Sequence, residues 1–128
     1  MKLHPFDMRR RLIASAYRSK KYDKVKNLSE IYLSKYPDDV MILELLARSH
    51  VSCQEWGQAF SLYGQLFDLE PEYRDVSEQY ARCCIYEQKW KQINLILRES
   101  PNVLLEPQIQ RAITKKLASI SDEEFIEF

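Results

Sequence analysis

Residues 40–73, VMILELLARSHVSCQEWGQAFSLYGQLFDLEPEY, decide the fold, because their landmarks return at a fixed distance. Trp56 and Trp90 are 34 residues apart, and so are Pro37 and Pro71. The same step joins four further pairs: Glu44 and Glu78, Ala47 and Ala81, Arg48 and Arg82, Val51 and Ile85. A constant period in the thirties indicates stacked helical repeats.

A known repeat signature fits this period: Trp-x2-Leu-Gly-x2-Tyr, then Ala-x3-Phe, then Pro. Residues 40–73 match it at Leu43, Leu46, Ala47, His50, Ala59, Tyr63 and Pro71. The next segment matches less well, at Tyr80, Ala81, Cys84, Ile93 and Leu97. The first segment matches at Ala14, Tyr17, Val25 and Pro37, provided that the turn near Lys20 and Lys21 is one residue short. Residues 6–106 therefore resemble the tetratricopeptide-repeat family.

The resemblance implies an all-α fold, a right-handed α-solenoid of about three helix pairs and a C-terminal capping helix. The repeats span 6–39, 40–73 and 74–106, after an N-terminal tail at 1–5. Residues 107–120 form the capping helix, with Ile109, Ile113 and Leu117 on one face. The sequence predicts helices at about 6–19, 23–35, 39–53, 56–69, 73–87, 90–99 and 107–119.

Two acidic segments carry helix-start signals. Asp38 and Asp39 are suited to capping the third helix. Ser121 and Glu124 form a capping box within the acidic segment 121–128. Because a capping box ordinarily opens a helix, we interpret this segment either as the start of a further element of a longer protein or as an acidic tail.

The overall charge is balanced. Lys and Arg number 19, Asp and Glu also number 19, and 45% of the residues are hydrophobic. No net field draws the chain to nucleic acid or to an anionic membrane, and no apolar run reaches the roughly 18 residues of a membrane span. Three cysteines make no paired disulfide framework, so we expect a reducing, cytoplasmic location.

Motifs for catalysis are missing from the sequence. It has no Gly-rich phosphate loop, nucleophile elbow or paired-carboxylate motif, so we expect no enzymatic activity, no cofactor and no bound metal. A zinc or redox site remains an alternative interpretation of His50, Cys53, Cys83 and Cys84. The basic stretch Arg9–Arg11 offers phosphate contacts, but without the aromatic residues that single-strand binding uses.

The family resemblance places a partner-binding groove on the first helix of each repeat. The corresponding residues are Arg11, Ser15, Arg18, Glu44, Arg48, Val51, Glu78, Arg82, Ile85 and Tyr86. Arg48 and Arg82 are the leading candidates for holding acidic groups of a partner. The alternative is that Glu44–Arg48 and Glu78–Arg82 are i,i+4 pairs that only stabilise their helices.

The resemblance implies a non-catalytic scaffold module that binds a peptide or helix of a partner protein. Self-association through the terminal helices is also open. The alternative is an auxiliary domain at the front of a larger enzyme, such as a bacterial glycosyltransferase, where it positions a substrate or partner protein. Both interpretations place the chain within a longer protein.

Overall fold

The computed structural model describes residues 5–99 and 107–119, and within these ranges it contains α-helices and no strand. The helices are α1 (Pro5–Arg18), α2 (Tyr22–Leu33), α3 (Val40–Ser52), α4 (Trp56–Leu69), α5 (Val76–Tyr86), α6 (Trp90–Glu99) and α7 (Pro107–Ser119). The all-helical class is therefore confirmed. The tail at 121–128 and most of the tail at 1–5 lie outside the described residues.

The predicted helix boundaries agree with the structure to within a few residues. Asp39 caps α3 as expected, because its carboxylate accepts a hydrogen bond of 3.4 Å from the backbone N–H of Ile42. The largest difference is the start of α5, which begins at Val76 and not at residue 73. Arg74 has a φ of 45° there, a left-handed conformation that a helix cannot include.

Each of the first five helices packs against the next, and α1 also contacts α3. One core cluster, formed mainly by α1 and α2, includes Ile13, Val25 and Tyr32. A larger cluster joins α3 to α6 around Ala47 and Ala81. Both alanines are fully buried, so a small side chain lets neighbouring helices approach closely at these positions.

The 34-residue period extends to the backbone of the turns. Lys20, Gln54 and Gln88 all have φ between 56° and 59°, each just after the end of α1, α3 or α5. The following residue donates from its backbone N–H to a carbonyl five residues earlier in all three turns: Lys21 to Ala16, Glu55 to His50, Lys89 to Cys84. This pattern is a Schellman motif, which satisfies the free carbonyls at a helix C-terminus.

These turns correct one sequence prediction. The turn after α1 has the same length and hydrogen bonds as the other two, so the one-residue deletion near Lys20 and Lys21 is wrong. The residues of α1 that correspond to Ala47 and His50 are Ile13 and Ala16, and both are buried. Ala14 and Tyr17, the expected inward residues, are only partly buried.

Gln54→Gly should raise the free energy of unfolding by about 0.5–1 kcal/mol, because glycine adopts a φ of 58° without the strain of a Cβ. Gln58→Gly is the matched control, since Gln58 is exposed within α4 and glycine there should cost about 1 kcal/mol. Urea unfolding of the two variants measures both changes. Equal destabilisation by both would contradict the Schellman turn.

The last described helix, α7, packs against α5. The ammonium group of Lys116 on α7 lies 5.7 Å from the ring centroid of Trp90 at the start of α6. Both Trp56 and Trp90 are partly buried and pack on the larger cluster. None of the helices in 5–99 and 107–119 is both long and apolar enough to cross a lipid bilayer.

Candidate partner-binding surface

Glu44 was expected to line an open groove, but its side chain is buried, with only 2% exposed. It forms ion pairs with Arg48 at 3.5 Å and with Arg74 at 3.3 Å. Arg48 also donates a hydrogen bond of 2.6 Å to the carboxylate of Asp75, which precedes α5. These four residues therefore hold α3 against the start of α5, and Glu44 is not accessible to a partner.

This network changes the role of Arg48. Its side chain is 30% exposed, yet its guanidinium is held by both Glu44 and Asp75. A charge reversal at Arg48 would place two carboxylates against a buried third, so it would disturb folding as well as any binding. Arg48→Glu is therefore not a clean test of partner binding.

Arg82 and Tyr86 have a different environment at the end of α5. Tyr86 is 55% exposed and stacks on the ring of Trp56, with centroids 3.9 Å apart and the rings nearly parallel at 5°. The guanidinium carbon of Arg82 lies 5.5 Å from the Trp56 centroid. We call Trp56, Arg82 and Tyr86 the aromatic surface. It offers a flat π face and a cation at the same place.

The remaining predicted residues lie around these two groups. Glu78, one turn before Arg82, is partly exposed. Val51 and Ile85 are partly buried and pack against the larger core cluster, so only part of each side chain can reach a partner. The structure thus divides the predicted groove into an internal ion-pair network and an accessible aromatic surface.

The corrected register changes which residues of the first repeat correspond to the predicted groove positions. Arg11, Ser15 and Arg18 are all exposed on α1. The residue that corresponds to Glu44 by the 34-residue step is Arg10, which forms an ion pair of 3.1 Å with Asp39. Arg10 therefore ties α1 to the N-terminus of α3, a role that the one-residue shift had hidden.

Trp56 is a site residue that sequence reasoning missed as part of the surface. The sequence identified it only as a landmark of the 34-residue period. Its contact with Arg82 and Tyr86 joins the N-terminus of α4 to the C-terminus of α5. Consecutive helices pack antiparallel, so the N-terminus of one lies beside the C-terminus of the next. The 34-residue period predicts this arrangement, whereas the groove positions of the family do not include Trp56.

The proposed zinc ligand His50 has a structural partner. Its Nδ1 lies 2.9 Å from Oε1 of Glu55, and the same carboxylate pairs with the Lys26 ammonium at 2.7 Å. Hydrogen bonds from Lys26 and His50 hold the pKa of Glu55 below its usual range. This chain of contacts joins α2 to the turn between α3 and α4.

The cysteines are free thiols in contrasting environments. Cys53 is exposed, whereas Cys83 and Cys84 are buried. Burial raises the pKa of both Cys83 and Cys84 to about 12. No group of three or more His, Cys, Asp or Glu side chains within the described residues is arranged to hold a metal ion.

Thiol reactivity should therefore differ between the three cysteines. At pH 8, iodoacetamide is expected to modify Cys53 and to leave Cys83 and Cys84 unmodified until the chain unfolds. Because the pKa of the two buried thiols is raised, their thiolate fraction in the folded chain grows only as the pH approaches 12. The free energy of unfolding should therefore fall as the pH rises above about 8.5, the pKa of a cysteine in the unfolded chain. Intact-mass spectrometry measures the number of modified cysteines. Rapid modification of all three in the folded chain would be incompatible with two buried thiols.

The chain matches no family model and no curated protein.

Proposed function

We propose that this chain is a non-catalytic interaction module that binds an acidic and apolar segment of a partner protein on its aromatic surface. The observation that carries the proposal is the stack of Trp56 and Tyr86 with Arg82 beside it. Tryptophan, tyrosine and arginine are the residue types that dominate binding energy in protein interfaces.

The chemistry of the aromatic surface specifies the partner segment. Tyr86 exposes more than half of its side chain, so an apolar or proline-containing side chain can pack on its open face. Arg82 can pair with a carboxylate while its guanidinium remains beside Trp56. A short peptide or helix with one acidic residue next to an apolar residue suits this arrangement.

The architecture we propose is a right-handed array of three tetratricopeptide-like repeats followed by α7 as a cap. The recurrence of the Schellman turns at 34-residue steps supports the repeats, and the contact of α7 with α5 supports the cap. In such an array each helix pair contacts only its neighbours, which produces an extended binding surface. The three free cysteines are compatible with the cytoplasmic location that we propose.

Quantitative affinity capture tests this function. Immobilised chain should retain at least one protein from a cell extract, and Tyr86→Ala or Arg82→Glu should lower its retention about tenfold or more, the effect of losing an interface hot spot. Leu69→Ala is the matched control, because Leu69 is exposed at the opposite end of α4. Equal retention by all variants, with unchanged circular dichroism, would reject the aromatic surface.

A further inference from the structure

An apolar face lies on the outer side of α1 and α2, away from the aromatic surface. Met8, Leu12 and Ile31 are 52%, 54% and 66% exposed. A cleft of about 120 Å³ opens between the two helices. Its lining consists of Arg9, Leu12, Ile13, Leu28, Ile31 and Tyr32. We call Met8, Leu12, Leu28 and Ile31 the N-terminal face.

The 34-residue period indicates what covers such a face. The residues one step after Met8 and Leu12 are Ile42 and Leu46, which are buried at 0% and 4% exposure. The preceding helix α2 packs on α3, just as α4 packs on α5. Met8 and Leu12 are therefore at positions that a preceding helix covers in α3, and an amphipathic helical segment fits there.

Charge specifies the segment further. Arg9 lines the cleft, Lys24 lies one turn before Leu28 on α2, and Lys35 lies just after the C-terminus of α2. None of the three forms an ion pair with another residue in the described ranges. A two-fold pairing of this face with itself would oppose like charges, so an acidic segment is favoured.

The chain itself contains such a segment at 121–128, SDEEFIEF. It carries four acidic residues and no basic residue, together with Phe125, Ile126 and Phe128. The capping box predicts that it begins a helix. An apolar cavity of about 150 Å³ holds one benzene ring, so the cleft has the order of size that accepts a phenylalanine side chain.

We propose that residues 121–128 of one copy dock on the N-terminal face of a second copy, which produces head-to-tail self-association. Its attachment point, α7, packs on α5, whereas α1 packs on α2 and α3, so the segment begins at the opposite end of the helix series from the N-terminal face. A head-to-tail contact between two copies brings these opposite ends together. This surface is separate from the aromatic surface, so the two proposals stand or fall independently.

Sedimentation of the full chain and of two variants tests the proposal. The unmodified chain should show a weight-average mass that at least doubles with rising concentration, because heterologous contacts do not close a dimer. Ile31→Glu places a charge on the N-terminal face, and Phe125→Glu removes an aromatic side chain from the segment. Each variant alone should therefore remain monomeric. Leu95→Glu is the control for a new charge at an exposed apolar residue and should associate normally.

An equimolar mixture of Ile31→Glu and Phe125→Glu should form a dimer, since one intact face meets one intact segment. A two-fold contact between N-terminal faces would instead let Phe125→Glu associate on its own, and adding Ile31→Glu would produce no further association. Docking within one copy would leave the unmodified chain monomeric. Either result overturns the proposal, and so does association that persists in Ile31→Glu with its circular dichroism unchanged.

Discussion

Replacing Arg48 by alanine is expected to lower the free energy of unfolding by about 3 kcal/mol. The cost arises because the carboxylate of Glu44, whose side chain is only 2% exposed, loses one of its two arginine partners. Arg74 then remains its ion-pair partner, and Arg74 is 63% exposed. Breaking a fully buried pair costs about 3–5 kcal/mol, and the partial exposure of Arg48 places this case at the low end. Chemical denaturation of the purified variant measures the difference.

Two further variants identify the cause of that loss. Glu44→Gln with Arg48→Met should be less destabilised than Arg48→Ala alone, because no unpaired charge remains buried. Arg82→Ala removes the equivalent arginine one period later, where the corresponding carboxylate, Glu78, is only partly buried, and should cost about 1 kcal/mol or less. If Arg48→Ala and Arg82→Ala were equally mild, Glu44 would not be a buried charge.

Ala47→Leu is expected to lower the free energy of unfolding by about 1–3 kcal/mol. Ala47 has no exposed surface and lies within the cluster that joins α3 to α6. Additional methylene groups at such a site force side chains out of their preferred rotamers and displace the neighbouring helix. Thermal unfolding followed by circular dichroism measures the effect.

Ala14→Leu is the matched control for this overpacking. By the corrected register, Ala14 corresponds to Arg48, a partly exposed position, and a larger side chain there should change stability by less than about 0.5 kcal/mol. A large loss in Ala14→Leu together with a small loss in Ala47→Leu would restore the shifted register for the first repeat.

The positions of the helices were predictable from the sequence because residues that repeat every 34 positions have the same packing role in each repeat. Trp56, Trp90, Ala47 and Ala81 repeat at one step and occupy similar environments in the structure. The first repeat was misaligned because it contains two alanines, Ala14 and Ala16, near the position that Ile13 occupies. Alignment on a small residue selected Ala14 in place of Ile13. The backbone turn at Lys20 lies 34 residues before the turn at Gln54 and so gives the correct register.

The candidate site was only partly predictable. Groove positions identify which face of a helix a residue lies on; of these residues, Tyr86 is exposed and Arg82 is partly exposed. They do not specify long-range partners, because the contact of Arg48 with Asp75 depends on the turn at Arg74. Charges that recur at the same period can therefore have opposite roles: Arg48 is held internally and Arg82 lies beside an accessible ring.

Hydrogen–deuterium exchange of the chain, with and without its captured partner, tests most directly where the partner binds. We expect slower exchange on partner binding at the start of α4 and the end of α5, the segments that carry Trp56, Arg82 and Tyr86. The same protection should disappear when the partner is added to Tyr86→Ala. Protection confined to α1 and α2, with the α4 and α5 segments unchanged, would contradict a partner site on the aromatic surface.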